Sequence, residues 1–272
     1  MNGETALLLP FLALLLAGAG AGFAGGLFGI GGGFVVVPAL VLILPLLGAS
    51  PDQLTHVAVG TSLATIIFTS LRSVFSHARR DSVDIAVLKS WAPWVVIGTV
   101  LGTWVADLIS SSTLALIFGV GVLAFAVHFL TPSMKDRQLA HAMPGGVARV
   151  GLAGGLGLIS SLLGIGGGTI TTMTMTLCGS SIHRAIGTAS GMGAIIAVPA
   201  SIGFVLIGMD EPGLPAGSLG YVNLPAAAAV IVTSVLCAPM GVALAHRLSA
   251  KLLRLIFGIY LIFVGVTMVF NS

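Results

Sequence analysis

Runs of apolar residues that are long enough to cross a lipid bilayer dominate this sequence and restrict the architectures open to it. A helix needs about 20 such residues to cross a hydrocarbon core of ~30 Å. Only 7% of the 272 residues are charged, against roughly 25% in soluble domains. Since only helices and closed barrels satisfy their backbone groups in lipid, the sequence predicts an all-α polytopic membrane protein, with spanning helices at 57–78, 85–106, 113–130, 185–207, 222–245 and 252–270.

Two further apolar regions, 6–47 and 147–178, are each interrupted by a cluster of glycines. The first contains Gly29-Ile30-Gly31-Gly32-Gly33 and the second contains Gly164-Ile165-Gly166-Gly167-Gly168. Each glycine costs up to about 1 kcal/mol of helix propensity relative to alanine, so neither region can be one stiff helix. Each region is therefore predicted to form a hairpin that breaks at its glycine cluster.

The positions of Lys and Arg predict which connections face the cytoplasm. All eleven of these residues lie in or beside the 79–84 turn, the 131–149 loop, the start of the 185–207 span and the turn before the last span. The other connections carry acidic residues and no Lys or Arg. Cationic connections face the cytoplasm, and this assignment is consistent only if each hairpin begins and ends on the same side. Both termini are then predicted to be extracytoplasmic.

The second half of the sequence repeats the first. The two glycine clusters are followed by His56-Val-Ala-Val-Gly-Thr-Ser62 and His183-Arg-Ala-Ile-Gly-Thr-Ala189, respectively. Two different motifs that recur in the same order indicate an internal structural repeat. The charge assignment gives each half an odd number of net crossings, so the halves are inverted. We therefore predict two inverted-topology repeats, each a Gly-broken hairpin plus three spanning helices, at residues 1–131 and 150–272, with a cytoplasmic linker at 132–149.

The glycine clusters are the first candidates for binding an anion, which loses several kcal/mol on leaving water unless donors replace the water. A break followed by a new helix exposes unpaired amide groups at the positive end of a helix dipole. Non-helical backbone at membrane depth lies against protein or a wet cavity, so a cavity is expected there. Alternatively, the glycines only permit tight packing. The candidate residues are Gly31, Gly32, Gly33, Gly166, Gly167, Gly168 and Thr169.

The repeated histidine motif supplies the other candidate ligands. The hydroxyl groups of Thr61, Ser62 and Thr188 could donate to an anion, although such groups in membrane helices commonly bond their own backbone or a neighbouring helix. His56 and His183 would attract an anion when protonated and release it when neutral, because imidazole titrates near neutral pH. They could equally be interfacial residues at helix starts. A role in transport would imply coupling to protons.

These motifs, together with Gly220-Tyr221-Val222-Asn223-Leu224-Pro225 before the penultimate span, resemble the sulfite exporter TauE/SafE family. The resemblance covers essentially the whole chain. It implies a bacterial or archaeal inner-membrane permease whose substrate is sulfite or an organosulfonate such as sulfoacetate. Because family members differ in substrate and in direction, the resemblance fixes neither.

Other classes of function are less well supported by the residues. An intramembrane protease would need an aligned nucleophile and base, and the nearest pair, Ser190 and His246, has the wrong spacing. The histidines and cysteines show no metal-ligand spacing, and the scattered Lys and Arg form no basic face for nucleic acid. We expect no catalytic residue, metal or cofactor. A passive anion channel fits the inverted repeats as well as a carrier does.

Overall fold

The computed structural model describes residues 3–29, 31–131, 140, 142–245 and 250–270, within which the chain forms ten α-helices. The first half contains α1 (Gly3–Phe28), α2 (Gly33–Ile43) with a 3₁₀ turn (Leu44–Leu47), α3 (Leu54–Ala78), α4 (Ile85–Asp107) and α5 (Ser111–Leu130). The second half contains α6 (Gly146–Leu162), α7 (Gly168–Leu177), α8 (Ile182–Ile207), α9 (Leu224–Ala245) and α10 (Ala250–Phe270). An antiparallel ribbon of β1 (Ser218–Leu219) and β2 (Val222–Asn223) precedes α9.

Five of the six predicted spanning segments are helical throughout, and the sixth, 222–245, is helical from Leu224 onward because Val222–Asn223 forms β2. Each predicted hairpin breaks at its glycine cluster. Helices α3, α4, α8, α9 and most of α1 are long and apolar enough to cross a membrane, so the protein is an all-α polytopic membrane protein, as predicted. The arms of the first hairpin are unequal, because Leu8–Phe28 of α1 has a spanning length whereas α2 has 11 residues. Ile30 and residues 132–139 and 141 of the predicted linker lie outside the described residues.

Helix packing relates the two halves by a pseudo-two-fold axis. Helix α1 packs against α9, and its counterpart α6 packs against α4. Helix α3 packs against its own counterpart α8, and α5 against its counterpart α10. The contact between α3 and α9 is likewise matched by that between α8 and α4. Exchanging α1–α5 with α6–α10 therefore reproduces each of these contacts.

Corresponding helices of the two halves run in opposite directions. Ser70 of α3 lies beside Gly193 of α8, whereas His77, farther along α3, lies beside Gly187, which is earlier in α8. Helices α5 and α10 pack in the same antiparallel way. The two repeats are thus inverted relative to each other, as predicted, and their glycine-broken hairpins enter the bundle from opposite ends.

Large apolar side chains occupy the outside of the bundle as well as its core. Phe34, Phe118 and Phe204 are fully buried, whereas Trp104 and Phe263 are exposed. An apolar exterior of this extent would drive aggregation in water. Lipid solvates it instead, so the surface agrees with the membrane location that the helix lengths require.

The contact between α4 and α6 depends on glycine at position 157. A Cβ atom there would overlap the Val95 carbonyl oxygen and lie 2.8 Å from the Thr99 amide nitrogen. Small residues at such contacts allow membrane helices to approach closely. The close approach therefore fixes how the second hairpin sits against the first repeat.

We expect Gly157→Ala to lower the melting temperature of the detergent-purified protein. The added methyl group must push α4 away, and overpacking of this kind costs about 1–3 kcal/mol. The matched control is Gly155→Ala in the same helix, where a Cβ atom would meet no atom within 4 Å. Melting is followed by the loss of the monodisperse peak on size exclusion, and equal melting temperatures for the two variants would contradict the packing.

Candidate functional site

The glycine that caps the second helix of each hairpin has the same backbone conformation in both breaks. Gly32 is the N-cap of α2 with a φ of 84°, and Gly167 is the N-cap of α7 with a φ of 62°. These values lie in the left-handed region, which residues with a side chain seldom adopt. Each N-cap carbonyl accepts a hydrogen bond from the first turn of the helix that follows. Each break therefore starts a new short helix, which is the arrangement that the glycine clusters predicted.

The two breaks meet inside the bundle. Gly33, the first residue of α2, packs so closely on the second break that a Cβ atom on it would overlap the Gly164 carbonyl oxygen. Ser62 of α3 donates a hydrogen bond to the same oxygen at 3.0 Å. The inverted repeats thus bring both glycine clusters to one place, although they enter from opposite ends.

Ser70 of α3 lies between the two breaks. It is fully buried, and none of the described residues gives its hydroxyl group a hydrogen-bond partner. Its Oγ atom is 3.3 Å from the position a Cβ atom would take on Gly31 in the first break. It also lies beside Gly193, whose own Cβ position is 3.3 Å from the carbonyl oxygen of Gly166 in the second break. The Ser70 hydroxyl group is therefore an available donor at the place where the two breaks meet, which we call the centre.

Two more hydroxyl groups flank the second break. Ser160 of α6 is fully buried, and its Oγ atom would be 2.9 Å from a Cβ atom on Gly167. Thr169 is the second residue of α7 and is 4% exposed. Neither hydroxyl group has a hydrogen-bond partner among the described residues. A buried polar group left unpaired costs about 1–3 kcal/mol, so three of them around the breaks suit a ligand that accepts hydrogen bonds.

Thr61 and Thr188 of the repeated motif hold the connections that precede α9 and α4. The Thr61 hydroxyl oxygen accepts a hydrogen bond from the Asn223 amide at 2.9 Å, and the Thr188 oxygen accepts one from the Asp84 amide at 2.8 Å. The side chains of Asn223 and Asp84 in turn cap the first turns of α9 and α4. The structure gives both threonines the same structural role in the two repeats, while contact with a substrate stays a prediction for each.

Asp84 is also held by an ion pair. Its carboxylate lies 2.9 Å from the Arg184 guanidinium near the start of α8. The Arg184 side chain is 54% exposed, and surface ion pairs contribute little on their own. Together with the hydrogen bond to Thr188, the pair fixes the start of α4 against α8.

The two predicted histidines occupy different environments. His183, at the start of α8, is exposed. His56, near the start of α3, is 4% exposed and stacks on Tyr221, with ring centroids 5.0 Å apart. Its Nε2 atom lies 2.9 Å from the Ala106 carbonyl oxygen at the end of α4. The repeat therefore places matching residues at opposite ends but does not give them equal surroundings.

A cavity of about 540 Å³ opens beside His56 at the start of α3 and α5. Its lining includes carboxylates from three separate segments, namely Asp52 before α3, Asp107 at the end of α4 and Glu211 after α8. None of the described residues of either glycine break lines this cavity. The described break residues are instead buried between helices. The two breaks pack on each other at Gly33 and Gly164, and a wet cavity at the breaks stays a prediction.

A chain of hydrogen bonds connects three of the residues that line this cavity. The Tyr221 hydroxyl group donates to Gln53 at 2.9 Å, and the Gln53 amide donates to Glu211 at 2.8 Å. Burial, together with the charges of Glu211 and Asp107, raises the pKa of Tyr221 to about 12. The phenol therefore stays protonated near neutral pH and keeps Gln53 in place.

Sequence reasoning did not single out Ser70 and Ser160, since a lone serine in an apolar run does not show which neighbour it faces. It also did not assign roles to Asp84 and Asn223. Each of these two stands immediately before an apolar run, which is the pattern of a helix N-cap. That signal could have found both of them.

Comparison with known proteins agrees with this architecture, which is typical of secondary transporters. A protein of Haemophilus influenzae named "Probable membrane transporter protein" is 31% identical over 259 residues, which cover 94% of this chain and 97% of the relative. Relatives with the same description from Methanocaldococcus jannaschii and Bacillus subtilis are 28% and 25% identical and cover 97% of this chain each. They are covered over 97% and 99% of their own lengths, respectively.

The protein is therefore a multi-pass membrane transporter and not an enzyme. The sequence profile of the sulfite exporter TauE/SafE family matches residues 14–268. The chain belongs to that family, as its motifs indicated. No solved structure matches the chain.

We expect Thr61→Val to destabilise the protein, because it leaves the buried Asn223 amide without its acceptor. The cost should be about 1–3 kcal/mol, seen as a lower melting temperature in detergent. Thr267→Val is the control, since the Thr267 hydroxyl group donates to carbonyl oxygens of its own helix. An unchanged melting temperature combined with weaker binding of a transported anion would make Thr61 a substrate ligand instead.

Proposed function

We propose that this protein is a secondary transporter for a small sulfur oxyanion, either sulfite or an organosulfonate such as sulfoacetate. The observation that carries the proposal is the set of buried, unpartnered hydroxyl groups of Ser70, Ser160 and Thr169 around two helix starts. The relatives named above come from bacteria and an archaeon. The membrane concerned is then the inner, or cytoplasmic, membrane of such a cell.

The chemistry of the centre suits an oxyanion. An anion leaving water needs donors on several sides, and the N-terminal amides of α2 and α7 add the positive ends of two helix dipoles to the hydroxyl groups. Sulfite and sulfonate groups both present several oxygens around one sulfur, each of which accepts hydrogen bonds. The family's description as sulfite exporters points to the same group. Recognition of this shared group would allow the organic part of a substrate to vary.

The packing of the breaks favours a carrier over a passive channel. Gly33 and Gly164 are in direct contact where the two hairpins meet, so a passage along the centre is blocked there. Movement of one repeat against the other would expose the centre to each side in turn, as in other transporters built from inverted repeats. Coupling to protons is part of the proposal, since an anion that crosses with a proton carries less net charge into the bilayer.

A flux measurement on purified protein in proteoliposomes tests the proposed function. The panel comprises sulfite, thiosulfate, sulfate and sulfoacetate, with zwitterionic taurine as the control for net charge. We expect saturable uptake of sulfite or sulfoacetate, and acceleration of labelled uptake by unlabelled anion inside. Uptake that neither saturates nor shows such exchange would support a channel, and absence of flux for every anion would reject the proposal.

The orientation is proposed from the charges of the connections, with both termini extracytoplasmic. Alkaline phosphatase fused to the C-terminus should be active, because it folds outside the cytoplasm, whereas green fluorescent protein at the same position should be dark. Fusions after Arg80, in the basic turn between α3 and α4, are the matched control and should give the opposite result. Fluorescence from the C-terminal fusion would reverse the topology.

We expect Ser70→Ala and Ser160→Ala each to raise the KM for the transported anion about 10-fold or more, because a hydrogen bond to a charged group is worth about 1.5–3 kcal/mol. Their melting temperatures should not fall, since each loses an unpaired hydroxyl group. Ser201→Ala is the control, because Ser201 is also buried and unpartnered but lies about 12 Å beyond Gly193 along α8. An unchanged KM in both test variants would remove the two serines from the substrate site.

A further inference from the structure

The hydrogen bonds of His56 determine which of its ring nitrogens can accept a proton. The Ala106 carbonyl oxygen can only accept, so the Nε2 atom of His56, 2.9 Å away, carries the hydrogen. The Nδ1 atom is buried, and none of the described residues gives it a hydrogen-bond partner. The neutral ring therefore holds a basic lone pair on Nδ1, and the residue lines the 540 Å³ cavity.

The charged groups that face His56 are acidic and come from separate segments. Asp107 at the end of α4 and Glu211 after α8 line the same cavity as the ring. Asp52 lines the same cavity, and the neutral phenol of Tyr221 stacks on the ring. Helices α2, α5 and α10 contribute uncharged residues to the lining. Among the described residues that line the cavity, none is Lys or Arg.

This cavity suits a cation and opposes the anionic substrate. Carboxylates that line a cleft raise the local concentration of cations. A metal ion would require several ligands at once, and the described residues contain no group of three His, Cys, Asp or Glu side chains that could hold one. A single unprotonated imidazole nitrogen is the right partner for a proton. We propose that the cavity is the proton-loading site of the transporter, with His56 Nδ1 as the acceptor.

His56 is connected to the substrate centre through one side of α3. Val59, one turn farther along, packs against Gly164, and Ser62, a turn beyond that, donates to the Gly164 carbonyl oxygen. The rise from His56 to Ser62 is about 9 Å. A positive charge at that separation attracts an anion strongly in an interior of low dielectric constant. Proton binding and anion binding therefore favour each other, and by linkage the effect is reciprocal.

The proposal rests on the proposed transport function and names the ion coupled to it. When Nδ1 binds a proton, the ring becomes an imidazolium, and the negative charges of Asp107 and Glu211 stabilise it. The cavity lies where α3 and α5 begin, so loading takes place at that end of the bundle. The proton and the anion then cross together.

The test uses full-length protein in proteoliposomes that contain a pH-sensitive dye, with radiolabelled sulfite and, in parallel, sulfoacetate. Wild type should take up anion faster when the outside is acidic, and the lumen should acidify with uptake. His56→Gln keeps an amide donor for Ala106 but cannot titrate near neutral pH. It should lose both the acceleration and the acidification while measurable exchange persists at equal pH.

A second pair of variants examines the carboxylates without disturbing a buried residue. Glu211→Gln should move the dependence of uptake on external pH to lower pH, because the imidazolium loses a stabilising charge. Asp210→Asn is the matched control, since Asp210 is an exposed neighbour that does not line the cavity, and its pH dependence should match wild type. If His56→Gln cannot be purified in folded form, Glu211→Gln decides, and an unchanged pH dependence would overturn the proposal.

Several other results would also overturn it. These are a normal pH response in His56→Gln, uptake by wild type driven by a sodium gradient but not by a pH gradient, and loss of exchange together with the pH response in folded His56→Gln. The last result would assign His56 to the substrate site. Failure of wild type to exchange any anion would instead reject the transport function itself.

Discussion

Backbone amides and carbonyls that are not paired within a helix cannot face lipid, and the two glycine breaks satisfy this requirement by packing on each other. Gly33 covers the Gly164 carbonyl oxygen, and Ser62 donates to it. The contact requires the two hairpins to enter from opposite ends, so it depends on the inverted repeat. Helices α3 and α8 pack in antiparallel orientation beside the two breaks, and this packing places Ser70 next to both of them. The same geometry that makes irregular backbone tolerable thus also concentrates donors at one point.

The repeated motif performs the same task in both halves. Thr61 accepts a hydrogen bond from the residue that caps α9, and Thr188 accepts one from the residue that caps the equivalent helix α4. The caps differ chemically, because Asn223 stands where the other repeat has Asp84. The exposed Arg184 pairs with Asp84, while a neutral amide suffices at the buried Asn223. The two halves therefore keep the hydrogen bonds that build the fold and differ in the charges around them.

Much of this architecture could be predicted from the sequence because it depends on properties that are local or additive. The length of an apolar run determines whether a helix can span, and a glycine cluster determines where a helix must break. The order of two repeated motifs was enough to predict the repeat, and the positions of Lys and Arg were enough to predict its inversion. The site was harder to predict, because Ser70 and Ser160 matter through neighbours on other helices. The cavity beside His56 forms only because Asp107, Glu211 and Tyr221 come together from distant segments of the chain. A local sequence pattern does not show that such residues are close in space.

The unequal surroundings of the two equivalent histidines have a consequence for the behaviour of a duplicated fold. Two identical inverted halves would look the same from either side of the membrane, so acid on one side or the other would act on them alike. His56 is buried and lines a cavity with acidic residues, whereas His183 is exposed. Under the proposed proton coupling, this difference would make the protein respond differently to acid on its two sides. A small change in the environment of one imidazole ring is then enough to give a symmetric architecture a polarity.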